Sequence, residues 1–239
     1  MISIFVSLLS RRFMIFPSDE RLDVFLRVKG LEIVDALAEA DELHGYAELL
    51  RDGDADAAFG RAVEPYRPMI LEDPVPPDNV DTMAEVASKV GVPIATGERA
   101  IDLREFEVLM ARHACQYVRP DVCAVGGITT SKKICALAEA HDVLVIPHNP
   151  LGPVSTAACL QICASIPNLG IQELPGFCLN GAEDKMVKEP LRFENGCMLI
   201  PEAPGIGIEL ADDAEELYPA NERGSNAARR AFDGAVKDW

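Results

Sequence analysis

Five short apolar runs in this chain each end on a residue that can hold a proton or a cation. Met69-Ile70-Leu71 leads to Glu72, Pro93 to Gly97 leads to Glu98, and Tyr117 to Pro120 leads to Asp121. Val143 to Pro147 leads to His148, and Leu169 to Gln172 leads to Glu173. The steps between these end residues are 26, 23, 27 and 25 positions. Such a step fits one strand, a loop, a helix of about three turns and a return loop, the crossover a parallel strand needs before the next can begin. Residues at the same end of successive parallel strands converge, and in an α/β barrel that end carries the chemistry.

Helices are predicted between the runs. Asp102 followed by Glu105 has capping-box spacing and opens a helix over Leu103 to Ala111. Thr129-Thr130-Ser131 offers caps for a helix running to Ala140, with Ile134, Leu137 and Ala138 at helical spacing. Val80 to Val90 and Val154 to Ser165 follow the same pattern, and Gly91, Gly126-Gly127 and Gly152 mark turns. Strict alternation of strand and helix predicts an α/β fold, a parallel sheet with helices outside. A doubly wound sheet is the rival, but the glycine-rich phosphate loop expected after its first strand is missing. The expected architecture is therefore a (β/α) TIM-type barrel, incomplete at its N-terminal end.

The two ends break the period. Residues 1–64 read as an irregular N-terminal segment, with Leu31 to Asp35 as a candidate strand, 36–50 as helix and Ala57 to Glu64 as a second short helix. Residues 65–209 form the barrel core and 210–239 a charged tail. The apolar start, Met1 to Leu9, stops at Arg11-Arg12 and is too short to span a bilayer.

Composition narrows the function. Hydrophobic residues make up 49% of the 239, enough for a sizeable core. Lys and Arg total 22 against 39 Asp and Glu, a net charge of −17. That surface repels phosphate backbones and anionic lipid, which excludes nucleic acid and membrane as expected partners. It also means that an anionic substrate needs a local cation. The seven cysteines (115, 123, 135, 159, 163, 178 and 197) show no C-x-x-C spacing and several lie in apolar stretches. They read as reduced core thiols of a cytoplasmic protein.

Glu72 and Glu98 end neighbouring strands, so their carboxylates must share a proton or a cation. Magnesium suits a pair of hard oxygen donors of this kind. Taken singly, each reads as an ordinary loop acid. Asp121 and His148 end the next two strands, and a carboxylate beside an imidazole fixes its tautomer and makes it a base. Glu173 follows one strand later, placed to position a substrate or, if protonated, to donate to it. A cation and a base together allow removal of a proton next to a carboxylate, because the cation offsets the enediolate charge.

The motifs Glu72-Asp73-Pro74, Gly97-Glu98-Arg99, Arg119-Pro120-Asp121, Gly126-Gly127-Ile128-Thr129, Pro147 to Pro153 and Ile171-Gln172-Glu173 resemble the enolase superfamily. The likeness is to its mandelate-racemase-like branch, and within that to acid-sugar dehydratases of the galactonate type. By this resemblance Glu72 and Glu98 are two of three Mg2+ ligands. His148 with Asp121 is the base or acid, and Glu173 steadies the substrate carboxylate or enediolate. The third ligand is expected in an Asp-x-His-Gly-Arg motif on the preceding strand, whose His is the second proton-transfer group. The nearest match is Glu42-Leu43-His44-Gly45-Tyr46, so Glu42 is the candidate ligand and His44 the candidate second group. Asp35 is a rival ligand with no His two places on. Enzymes of the superfamily also carry a capping domain ahead of the barrel, for which these residues leave no room.

The resemblance implies a carbon–oxygen lyase that removes water from a galactonate- or gluconate-like sugar acid to give a 2-keto-3-deoxy acid. A racemase or epimerase of a 2-hydroxy acid is the alternative within the enzymes. A non-catalytic fragment of such an enzyme is the alternative outside them. Without a cap the chain is expected to bind magnesium with weak or absent turnover and, through its exposed barrel edges, to form a homo-oligomer.

Overall fold

Alternation along each strand divides the core of the computed structural model into two apolar layers. The structure describes residues 4–7, 12–15, 53–174, 184–194, 196–219, 229–230 and 236–237. The central parallel strands are β3 (Ile70–Glu72), β4 (Ile94–Thr96), β5 (Tyr117–Val118) and β6 (Leu144–Val145). Leu71, Ile94, Val118 and Val145 point to the helix side and join the large outer cluster. Ile70, Ala95 and Ile146, with Tyr117 and Ile171 packed on them, form a separate inner cluster. Both faces of β3 and β4 are buried, as expected for strands covered by helices outside and by side-chain layers inside.

The described sheet has the order β2-β1-β3-β4-β5-β6, with β1 at Ile4–Ser7 and β2 at Arg12–Ile15. Leu71 pairs with Ile94, Ala95 with Tyr117, and Tyr117 with Leu144, all in parallel. A bridge from Val145 to Leu169 extends the sheet towards Glu173. On the opposite side β3 pairs in parallel with β1, Ser7 lying opposite Glu72. The strand beside Glu72 therefore comes from the apolar start of the chain. Asp35, Glu42 and His44, and the strand and helix expected around them, lie outside the described residues.

The helices lie close to their predicted spans. They are α1 (Gly53–Val63), α2 (Val80–Lys89), α3 (Leu103–Ala111), α4 (Ile128–Ala140) and α5 (Pro153–Cys163). The capping box of α3 is complete, Asp102 accepting from the Glu105 amide and Glu105 from the Asp102 amide. Proline at the start of α5 needs no helical N–H there. The cap of α4 differs from expectation: Gly127 is the N-cap and makes no side-chain bond, so Thr129 and Thr130 lie inside the helix. Gly126 and Gly127 both take positive φ (96° and 89°), and this turn sets the helix start before the threonines are reached.

Phe59 and Val63 of α1, Met83 and Val86 of α2, Phe106 and Leu109 of α3, and Ile134 of α4 share the outer cluster. Gly60 lets α1 approach α2, because a Cβ there would lie 2.5 Å from Val90 Cγ1. Downstream are two short antiparallel ribbons, β7 (Phe193–Glu194) with β8 (Cys197–Met198) and β9 (Arg229–Arg230) with β10 (Val236–Lys237), and a one-turn helix, α6 (Ala214–Leu217). Among the described residues no helix is long and apolar enough to cross a membrane. The described cysteines are free thiols, and burial raises Cys115 to about 12 and Cys135 to about 11, which keeps them protonated.

Candidate functional site

The inner face continues beyond the strands. Counting in twos from Ile70 reaches Glu72, from Tyr117 reaches Arg119 and Asp121, from Ile146 reaches His148, and from Ile171 reaches Glu173. Glu98 is out of step with Ala95. Gly97, at φ 120°, turns the backbone between them, and a Cβ there would meet Phe106 Cε1 at 2.8 Å. Glu98 thereby swings towards Arg119 and His148, while its neighbours Gly97 and Arg99 line a separate cleft of about 430 Å³ bounded by Val80 and Leu109.

Asp121 and His148 face each other across a parallel bridge, and the His148 amide donates to the Pro120 carbonyl at 3.1 Å. Asp121 Oδ2 lies 3.0 Å from His148 Nδ1. Asp121 Oδ1 accepts from the amides of Cys123 (2.7 Å) and Ala124 (3.1 Å). Burial alone would raise the pKa of this carboxyl, but the bonds from His148 and the two amides outweigh it and hold the pKa below the usual value. On the other side of the ring, His148 Nε2 lies 3.2 Å from Glu98 Oε2. His148 and Glu98 are the most open members of the group, with side chains 16% and 26% exposed.

Arg119 ties the rest together. Its side chain is 2% exposed. Nη1 pairs with Glu72 and lies 3.8 Å from Glu98 Oε2, while Nη2 donates to Glu173 Oε2 at 2.5 Å. The Asn149 amide donates to the same Glu173 oxygen at 2.8 Å, and Asn149 Nδ2 reaches Thr156 Oγ1 at the start of α5. Burial lowers the Arg119 pKa and the Glu173 charge opposes this, yet guanidinium remains a cation. Glu173 Oε2 thus accepts from two donors, which removes the option of donating through that oxygen.

All five residues expected at strand ends are thus brought to one inner face, and Arg119 is a sixth that the motif reading quoted without assigning a role. The position was available from the alternation, two places after the inner-face Tyr117 and two before Asp121. Asp73, next to Glu72, is buried with Oδ1 unpartnered, and burial pushes its carboxyl up to about 7.

Can these residues hold a divalent cation? Among the described residues no group of three His, Cys, Asp or Glu side chains is arranged around a metal site. The donors of Glu72 and Glu98 nevertheless converge on one cationic atom, Arg119 Nη1. Among the described residues, four carboxylates (Glu72, Glu98, Asp121 and Glu173) share the inner face with one guanidinium, a charge deficit that a divalent cation would reduce. In donor chemistry and in charge, Glu72 and Glu98 fit Mg2+.

Comparison with known proteins places this arrangement in a family. Residues 39–214 match the family described as Enolase C-terminal domain-like, and the chain belongs to it. The chain is 36% identical over 187 residues to the D-galactonate dehydratase of Variovorax paradoxus (strain S110), covering 75% of this chain and 48% of that protein. The D-galactonate dehydratase of Ralstonia pickettii (strain 12J) is 34% identical over 186 residues. The chain spans about half the length of the curated relatives it matches. Among solved structures, a member of the enolase superfamily from Salmonella Typhimurium superposes with a TM-score of 0.66 at 36% identity, covering 69% of this chain and 42% of that one. A mandelate racemase/muconate lactonizing enzyme-like protein from Roseovarius sp. TM1035 gives 0.62 at 40% identity, with 68% and 40% covered. The parallel sheet is that of the enolase-type α/β barrel.

Proposed function

We propose that the chain carries the proton-transfer part of a sugar-acid dehydratase site, acting on a galactonate- or gluconate-like acid. The observation that carries this reading is His148, held by Asp121 at 3.0 Å through Nδ1 and directed by Nε2 towards Glu98 at 3.2 Å. With the Nδ1 proton on the Asp121 side, the Nε2 lone pair is available to accept a proton from the carbon beside the substrate carboxylate. The α C–H bond breaks, its electron pair forms the carbon–carbon double bond of an enediolate, and Asp121 stabilises the imidazolium that results. The enediolate pair then forms the Cα–Cβ double bond as the β C–O bond breaks, the leaving hydroxyl takes the proton held by the His148 imidazolium and departs as water, and the resulting enol tautomerises to the 2-keto-3-deoxy acid.

Glu72 and Glu98 would hold Mg2+, which when bound supplies positive charge against the developing enediolate. Glu173, fixed by Arg119 and the Asn149 amide, orients the substrate from the next strand end. The relatives named D-galactonate dehydratase support the choice of a sugar acid. Product analysis with a panel of sugar acids and 2-hydroxy acids, in the presence of Mg2+, tests the reading. A 2-keto-3-deoxy acid is expected. An epimer with its hydroxyls intact would instead assign a racemase or epimerase.

A further inference from the structure

We propose that Arg119 is the built-in counter-ion of the strand-end carboxylates, and that a divalent cation displaces its guanidinium from Glu72 and Glu98 onto Glu173. The inference rests on the reading that Glu72 and Glu98 take Mg2+. Both ends of the guanidinium fork pair with carboxylates, and those carboxylates are held unequally: Glu173 Oε2 has a second donor, whereas buried Glu72 Oε1 has no hydrogen-bond donor to fix it. Nη2 is anchored on Glu173 Oε2 at 2.5 Å, and the Asn149 amide fixes that oxygen from a second side. Nη1 faces Glu72 and, at 3.8 Å, Glu98, the same pair that suits the metal. Nε is buried and has no partner, so no third bond holds the fork in its present setting.

Two cations cannot share the Glu72 carboxylate at full strength, because each raises the energy of the other in a site screened from water. Arg119 therefore has two opposed effects. Without metal it prevents Glu72 and Glu173 from lying buried and uncompensated, and the fold persists. With metal it is a competitor, so Mg2+ binds more weakly than the bare carboxylates would allow. A retreat onto Glu173 couples the metal position to the residue that orients the substrate.

Calorimetry of Mg2+ binding and thermal unfolding in EDTA, on the wild-type chain and on Arg119→Gln and Arg119→Lys, test the inference. Arg119→Gln is expected to bind Mg2+ roughly tenfold or more tighter than wild type. It is also expected to unfold at lower temperature in EDTA and to recover on adding Mg2+. Arg119→Lys keeps the charge and stays near the wild-type affinity. On the wild-type chain, 15N NMR of labelled arginine is expected to show the Arg119 guanidinium resonances shift as Mg2+ saturates. Equal or weaker Mg2+ binding by folded Arg119→Gln overturns the inference alone. If that variant does not fold, unmoved Arg119 resonances at saturating Mg2+ overturn it. Absence of Mg2+ binding by the wild-type chain and by both variants overturns the metal reading and this inference with it.

Discussion

Replacing Asp121 by Asn keeps the side chain's shape and reverses its message to His148. Two amides, from Cys123 at 2.7 Å and Ala124 at 3.1 Å, point at one oxygen of Asp121. They fix the orientation of the carboxylate and would fix the substituted amide too, because turning its NH2 towards two N–H donors leaves all three unsatisfied. In Asp121→Asn the carbonyl oxygen therefore stays on the amides and the NH2 faces His148 Nδ1, 3.0 Å away in the wild type. A donor at that place makes Nδ1 the acceptor and moves the ring proton to Nε2. A hydrogen bond to a charged group contributes about 1.5–3 kcal/mol, so the reactive tautomer falls about ten- to a hundredfold. Loss of the carboxylate also withdraws stabilisation from the imidazolium, and together the two effects lower α-proton exchange by roughly a thousandfold. The tautomer can be read by 15N NMR of the imidazole at a pH where the ring is neutral, independently of turnover. Protonated Nδ1 is expected in the wild type and protonated Nε2 in Asp121→Asn. The same tautomer in both proteins would mean that Asp121 does not set the protonation of the ring.

Glu98→Gln is expected to weaken Mg2+ binding at least about tenfold in calorimetry by removing one charged donor; unchanged binding would remove Glu98 from the metal site. Asp73 has its folded pKa raised by burial to about 7 from 3.8. Its contribution to stability is therefore present below about pH 4 and is lost as pH rises to about 7, by at most about 4 kcal/mol. In urea unfolding at pH 5 and pH 8, with EDTA present, Asp73→Asn should flatten that slope, and an unaltered slope would assign it to another group. Gly97→Ala places a Cβ 2.8 Å from Phe106 Cε1 at φ 120°. A loss of about 2 kcal/mol or more is expected in denaturant unfolding, and wild-type stability would show that the turn before Glu98 is unstrained.

The local rules were the legible part of this molecule. Alternation and a steady repeat located the strand ends, and capping chemistry located α3, because each depends on residues close in sequence. The site needed one further step of the same rule. Arg119 sits two places from both Tyr117 and Asp121 on the inner face, but its partners Glu72 and Glu173 are 47 and 54 positions away. No local pattern says which carboxylates a buried guanidinium will meet. Gly97 was similarly ambiguous: a glycine before Glu98 is visible, while its positive φ, which brings Glu98 onto the inner face, depends on Phe106 packing behind it. At α4 the pair of glycines overrode good capping residues. The pairing of Ile4–Ser7 with β3 joins segments more than sixty positions apart, beyond what an apolar run can specify.

The proposed role of His148 is to move the proton beside the substrate carboxylate. Its most direct measurement is deuterium incorporation at that carbon when galactonate or gluconate is incubated in D2O with Mg2+ and the wild-type chain or His148→Asn. Product formation need not be fast, because NMR or mass spectrometry accumulates slow exchange over hours. Incorporation above the protein-free rate is expected for the wild type and none above it for His148→Asn. Equal incorporation by the two proteins, or none above the protein-free rate in either, would contradict that role.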